Sequence, residues 1–282
     1  MIKTIAFIIL TWNDEAYLAN CLQSIFSISC FRPLVFAVDN GSTDKTGEIL
    51  QNFHTIYPDS VEIISYSENR GTTYPRNRAL EKVKGRADWI CILDSDTIIN
   101  DMAVIRLAKA MEESPKALIA VPRMWDKDNR EQPSCKKFPS IFGKICKGLP
   151  FSAIQEKAVQ KEIYPFFTGS VEEGSPPFSD DQKIYSVDYG ISACWFMRMD
   201  CLEIPGDFDE KIFYSPEDVD YCLRVWKSGF QVIFVSDASI YHLTQRLSHQ
   251  KVFSKINISH VKGLFHFFFK HHTYLKKHKK MS

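Results

Sequence analysis

Asp94-Ser-Asp96 sets two carboxylates at i and i+2 directly after the apolar run Trp89–Leu93. Placed there, both can reach one divalent cation or its attached groups, and oxygen donors suit Mg2+ or Mn2+. Such a cation seldom takes a full protein cage and more often keeps places for phosphate oxygens. An Asp-x-Asp pair standing alone is more often a turn or a cap, so its position after a strand is what raises it. His242 ends a late apolar stretch. A single histidine is more often structural, but a neutral imidazole in the same site would favour Mn2+ over Mg2+. Glu217-Asp218-Val-Asp220 opens a predicted helix, where the dipole favours acidic residues. That explains one of the three carboxylates. Another that enters a cleft can take a proton from an attacking hydroxyl, and Arg224, within two turns, can pair with the cluster. Arg70, Arg76 and Arg78 sit near a helix start, where they can balance a pyrophosphate. A solvated basic helix face accounts for them equally well.

These residues need a scaffold, and the first hundred residues describe one. Apolar runs at Ile5–Leu10, Pro33–Val38, Val61–Tyr66 and Trp89–Leu93 read as strands. Between them Asp14–Ser27, Lys45–Phe53 and Tyr74–Val83 read as helices, the first from Leu18, Cys21, Leu22 and Ile25 at helical spacing. Thr43 or Asp44 is the N-cap of the second, and Pro75 is acceptable in the first turn of the third. Strand–helix alternation predicts a parallel sheet with crossover helices. In such a sheet the ligand crevice lies beyond the carboxyl ends of the strands. Polar clusters follow the strand ends in turn: Thr11-Trp-Asn13, Asp39-Asn-Gly-Ser42, Ser67-Glu-Asn69 and Asp94-Ser-Asp96. Any one of these could be mere turn chemistry. Four on one edge predict a site.

The later chain is less regular. Met102–Met111 reads as a helix and Ala117–Val121 as a strand. Residues 122–185 show few clear periods, which in a domain points to a functional or mobile stretch. Order resumes at 184–197. A helix is predicted over Val219–Ser228, and strands over Phe230–Val235 and Ser239–Tyr241.

At 282 residues, with 45% hydrophobic and 24% charged, the composition is that of a globular protein and excludes a disordered or collagenous chain. No apolar run reaches the ~18–20 residues of a spanning helix. The apolar start is too short for a secretory core and has no small-residue cleavage site, so it reads as a buried strand. The eight cysteines form no Cys-x-x-Cys pair. They read as buried free thiols in a reducing compartment. The formal net charge of +1 conceals an asymmetry, because residues 251–282 hold eight lysines and no Asp, Glu or Arg. Without them the body carries 27 basic against 34 acidic residues, a net −7. An acidic body argues against nucleic-acid binding, and a basic tail suggests an anionic surface.

In chain order, Val38-Asp39-Asn-Gly-Ser-Thr-Asp44, Asn69-Arg-Gly71, Leu93-Asp-Ser-Asp-Thr97 and Glu217-Asp-Val-Asp-Tyr-Cys-Leu-Arg224 form a set. The set resembles the family 2 glycosyltransferases of the GT-A fold. Pro122-Arg123, Gln132-Pro-Ser-Cys135, Phe138-Pro139 and Pro205-Gly-Asp-Phe-Asp-Glu210 are similar to the rhamnosyltransferase-like branch. The resemblance spans about residues 3–246. It implies an α/β fold with a Rossmann-like, mostly parallel sheet flanked by helices. It also implies inverting transfer of a sugar from a nucleoside diphosphate to an acceptor hydroxyl. Thr11 and Asp39 are then expected at the nucleobase and ribose side of the donor, with Asn69 also on the donor side. Asp94 is expected near the ribose or sugar and at the metal with Asp96 and His242. Arg76 is expected beside the diphosphate and Asp218 as the base. The resemblance further implies Mn2+ or Mg2+ as cofactor, and a glycan or lipid-linked acceptor in surface polysaccharide synthesis.

Two rivals differ in testable ways. A sugar nucleotidyltransferase would want a glycine-rich phosphate loop near the N-terminus, and Ile8-Ile-Leu-Thr-Trp-Asn13 has no glycine. A catalytically silent nucleotide- or glycan-binding protein of the same fold would not need Asp94, Asp96, Asp218 and His242 together.

The expected organisation is a catalytic domain at 1–250, with a nucleotide-sugar half (1–100) and an acceptor half (101–250), followed by a basic amphipathic tail at 251–282. In that tail Phe253, Ile256, Val261, Leu264, Phe265 and Phe268 fall on an apolar arc, with Lys251, Lys255, Lys262 and Lys270 on the other side. The pattern suits either an anionic membrane interface or packing on the body. The expected location is the cytoplasm, peripheral at the inner face of the plasma membrane.

Overall fold

The computed structural model describes residues 2–140, 160–168, 183–243 and 255–278. Its centre is a mixed sheet with main-path order β3-β2-β1-β4-β11-β6-β12-β5. The strands are β1 (Thr4–Thr11), β2 (Arg32–Asp39), β3 (Val61–Ser65), β4 (Trp89–Asp94), β5 (Thr97–Ile98), β6 (Ala117–Trp125), β11 (Cys194–Arg198) and β12 (Gln231–His242). Two further strands lie off this path: β7 (Glu131–Gln132) pairs with β6, and β9 (Ile184–Val187) with β12. β8 (Cys135–Lys136) and β10 (Tyr189–Gly190) form a separate small ribbon. The first four strands pair in parallel, as do β6 and β12, while β11 runs antiparallel between β4 and β6. In β1, Ile5–Ile9 are wholly buried. A run this continuous is the pattern of a strand covered on both faces.

The covering helices are α1 (Leu18–Phe26), α2 (Thr46–Ile56), α3 (Thr73–Val83), α4 (Asp101–Glu113) and α5 (Glu217–Lys227). Each buries one stripe: in α1 it is Leu18, Cys21, Leu22 and Ile25, the four residues whose spacing predicted the helix. α4 starts where the Asn100 side chain accepts from the Ala103 N–H at 2.9 Å.

Three expectations change. α1 starts at Leu18 and not at Asp14, because Asp14 is held in a loop by the Thr46 hydroxyl, which accepts its N–H at 2.9 Å. β12 is one strand where two are predicted, with a register shift between Val235 and Ser239 that interrupts its pattern. β6 continues through Trp125, past the predicted end at Val121. Parts of the irregular 122–185 stretch, and the tail residue Phe253, lie outside the described residues.

The last helix, α6 (Lys255–His278), packs on the body. Phe267 is fully buried within the main core. Gly263 lies against the main chain of Ser215, where an added Cβ would stand 2.3 Å from the carbonyl oxygen. Lys270 Nζ reaches Asp209 at 2.6 Å and Asp220 at 2.8 Å, and His266 and His271 bond the same two carboxylates. The predicted arc is rotated: Phe265 is 75% exposed, while Phe267, outside that arc, is buried. A helix with aromatics on several faces buries the stripe its partner can fit, and that partner is non-local.

Candidate active site

The carboxyl ends of β1, β4 and β12 and the start of β11 meet along one edge. They border a cavity of about 360 Å³. Its wall includes Thr11, Asn69, Arg76, Asp94, Asp96, Asp218 and His242, so seven of the eight residues selected from sequence converge there. Asp39 is the exception. It ends β2, and its Oδ1 accepts from the Ser42 N–H at 2.9 Å. The neighbouring Asn40 lines the cavity instead.

Asp94, Asp96 and His242 each offer one ligand atom, and these atoms lie within 4.8 Å of one another. His242 Nε2 is 3.4 Å from Asp96 Oδ1. Burial works to lower the His242 pKa, but the bond and charge of Asp96, helped by Asp94, raise it overall. A place that favours a proton between two carboxylates is one where cationic charge is welcome. Two carboxylates with an imidazole are a donor set that fits Mn2+, so these residues fit the implied metal. The Asp-Ser-Asp turn is also braced from within. The Ser95 hydroxyl donates to Asp14 Oδ2, and the Thr97 hydroxyl donates to the Asp94 carbonyl at 2.7 Å.

Arg76 is the organiser of the opposite group. It is 3% exposed, with Nη2 3.1 Å from Asp94 Oδ1 and Nη1 3.2 Å from Glu217 Oε1. Nη1 also donates to the Ser192 hydroxyl at 2.9 Å, and that hydroxyl donates to Glu217 Oε1 at 3.2 Å. The guanidinium expected beside a diphosphate is therefore occupied in joining a β4 carboxylate to the start of α5. Burial, and then the charge of Asp218, push the Glu217 carboxyl up to about 8 against the pull of Arg76. Asp94 is raised chiefly by burial, with Arg76 pulling it down and Asp96 pushing it up. Asp218 shares the cavity wall. Asp220 turns the other way, to Arg224 at 2.9 Å, His271 and Lys270.

Two loops fix these parts together. Asn40 donates to the Gly71 carbonyl at 2.8 Å and accepts from the Arg70 N–H at 2.9 Å. Asn69 Oδ1 accepts from the Gly71 N–H at 2.9 Å. Beyond Gly71, the Thr72 N–H donates to the Phe213 carbonyl at 2.7 Å. The Thr72 hydroxyl donates to the Tyr214 carbonyl at 3.0 Å, and the Thr73 hydroxyl to that of Ile212 at 2.8 Å. Gly71 has φ +80° and an added Cβ would stand 2.0 Å from the Phe213 oxygen. Only glycine suits both constraints.

Sequence reasoning missed Asp14, Ser192, Tyr214 and Gln132. Asp14 adjoins the Thr11-Trp-Asn13 cluster, but its place at the head of an apolar helical pattern hides it. Gln132 accepts from one ring nitrogen of His242; its Gln132-Pro-Ser-Cys135 run carries part of the family resemblance, but nothing local links it to the histidine 110 residues on.

Comparison with known proteins bears on the family and the fold. A family model described as glycosyl transferase family 2 matches residues 6–171. The N-acetylglucosaminyl-diphospho-decaprenol L-rhamnosyltransferase of Mycobacterium tuberculosis is 24% identical over 252 residues, covering 86% of this chain and 76% of that protein. The dTDP-rhamnosyl transferase RfbF of Shigella flexneri is 26% identical over 247 residues, covering 86% and 70%. The mannosyltransferase PcManGT from Pyrobaculum calidifontis, solved in complex with GDP-Man and Mn2+, matches with a TM-score of 0.58 at 16% identity. That match covers 88% of this chain and 59% of the other, so this chain spans about three-fifths of that structure's length. At such identity the likeness shows the fold.

Proposed function

This chain belongs to glycosyl transferase family 2 and has its GT-A fold, and from that premise we propose that it moves a sugar, with inversion, from a nucleoside-diphosphate donor to a hydroxyl of a glycan or lipid-linked acceptor in polysaccharide or cell-envelope synthesis. The observation that carries this reading is one cavity whose wall holds both the Asp94/Asp96/His242 cluster and Asp218. The lipid-linked acceptor is supported by the decaprenol-linked substrate in the name of the mycobacterial relative.

Asp94, Asp96 and His242 would hold the divalent cation, which when bound neutralises charge on the departing diphosphate. With that charge met, the leaving group needs no acid from the protein. One carboxylate then suffices, unlike the paired carboxylates of a hydrolase. Asp218 takes the proton of the acceptor hydroxyl as the hydroxyl oxygen attacks the anomeric carbon. Glu217, held to Arg76 and Ser192, shapes the site without taking that proton. Thr11, Asn69 and Asn40 bind the nucleoside side of the donor, and Asp39 supports them through its turn.

α6 supports a place of work at a membrane surface. Val261, Phe265 and Phe269, four residues apart, are 50%, 75% and 82% exposed. Lysines 262, 276, 277, 279 and 280 accompany them in sequence. Apolar residues with lysines suit the headgroup region of an anionic bilayer, and that surface is also where a lipid-linked acceptor resides.

A thermal-shift panel of UDP, dTDP, GDP and CDP, each with and without Mn2+, tests the reading. A ligand at ~100 times its dissociation constant adds about 2.7 kcal/mol of stability. The expected result is a metal-dependent shift from one nucleotide that Asp96→Ala abolishes. Asp218→Asn keeps the shift and loses sugar transfer. Folded protein that responds to no nucleotide would favour a silent binding module instead.

A further inference from the structure

Gln132 lies in β7, against the end of β6, and β6 also pairs with the last residues of β12. Its side chain meets His242 twice. Nε2 donates to the His242 backbone carbonyl at 2.9 Å, and Oε1 lies 2.9 Å from His242 Nδ1. The first contact decides the second. A carbonyl oxygen only accepts, so the amide nitrogen must face it, and the amide oxygen must then face the ring. An amide oxygen only accepts, so Nδ1 carries the hydrogen. In the neutral ring the lone pair is then on Nε2, the nitrogen that lies 3.4 Å from Asp96 Oδ1 within the Asp94/Asp96/His242 cluster.

We propose that Gln132 is a positioning residue that fixes both the tautomer and the rotation of His242, so that Nε2 faces the cluster as a metal-ligating lone pair. This rests on the reading that the cluster holds a divalent cation. One amide reads the main chain and the ring of the same residue, so a half-turn of the imidazole would break its bond while the backbone contact holds Gln132 in place. Neutral histidine ligands need such a partner on the other nitrogen, and its loss typically weakens metal binding about 10–100-fold. The effect of Gln132 on the cluster passes through His242.

The test uses the full chain and Mn2+ alone. Free Mn2+ is titrated by electron paramagnetic resonance against the wild type, Gln132→Leu, Gln132→Glu and His242→Ala. A second readout is the nitrogen-15 spectrum of His242, followed with rising pH until the ring's titration is complete. The expected wild-type ring bears its hydrogen on Nδ1, and Gln132→Leu populates both tautomers. Gln132→Leu weakens Mn2+ by roughly 10-fold or more, and Gln132→Glu, which keeps an acceptor for Nδ1–H, recovers most of the affinity. A wild-type ring with its hydrogen on Nε2 overturns the proposal, as does a Gln132→Leu protein that binds Mn2+ as tightly as wild type. In the latter case His242→Ala still weakens Mn2+ and the metal reading survives. Wild type that binds Mn2+ no better than His242→Ala defeats the metal reading itself, and the proposal falls with it.

Discussion

Glu217→Gln separates the two neighbouring acids of the cavity by both stability and turnover. Glu217 is 8% exposed, and its Oε1 is shared by Arg76 and Ser192. Burial and the charge of Asp218 push its carboxyl up to about 8, from 4.5. The unfolded chain therefore releases this proton first. Between those two values stability falls as pH rises, by at most about 1.4 kcal/mol per pH unit, and above about 8 the loss levels off. By pH 7 the loss amounts to about 3 kcal/mol. Glutamine keeps the shape and the acceptor for Arg76 but has no proton to lose, so it removes the slope. At about 2–4 °C per kcal/mol for a chain of this size, the variant should melt roughly 6–12 °C above wild type at pH 7. The gap should close toward pH 5. Turnover should persist, because a carboxyl that is neutral at pH 7 and bonded to Arg76 and Ser192 is not the proton acceptor. The assay pairs melting curves from pH 5 to 8.5 with sugar transfer at pH 7. A stability difference that does not vary with pH would refute the burial argument. Turnover as low as that of Asp218→Asn would make Glu217 the base.

Three more outcomes are expected. Gly71→Ala sets a Cβ 2.0 Å from the Phe213 oxygen at φ +80°, so it should cost about 2 kcal/mol or more in urea unfolding; an unchanged midpoint would mean the Thr72–Phe213 junction is not tight. Phe265→Ser with Phe269→Ser should abolish flotation with anionic vesicles while leaving the melting temperature within a degree or two, since both rings are exposed; undiminished flotation would count against this face as the membrane contact. Burial works against the ionised Asp209, yet Lys270 and His266 hold its pKa at about 2. Its contribution is present above pH 4 and lost as pH falls toward 2, so Asp209→Asn should lower stability at pH 7 by up to about 2 kcal/mol and converge with wild type near pH 2. A gap that persists at pH 2 would assign the effect to packing.

The parallel half of the sheet was legible because each of its strands is a local event. Ile5–Leu10 and Trp89–Leu93 announce themselves by continuous apolar runs, and the polar residues after them mark the edge where ligands bind. The boundaries that moved did so where a distant group intervened. Asp14 left the predicted helix because the Thr46 hydroxyl accepts its N–H. The predicted gap in β12 is a register irregularity that its pairing with β6 carries across.

Residue type and spacing along the chain carry the family resemblance, the order of the motifs and most of the residues around the cavity. How those residues are engaged depends on contacts between distant parts of the chain. Tertiary structure joined Arg76 to Asp94 and Glu217, turned Asp39 into its own loop, and set Gln132 against His242. It also decided which face of α6 is inside, burying Phe267 and leaving Phe265 in solvent. Periodicity specifies that a helix forms. Its rotation, and the partner of a buried charge, depend on surfaces far away in the chain, where Gly263 meets Ser215 and Lys270 reaches Asp209 and Asp220.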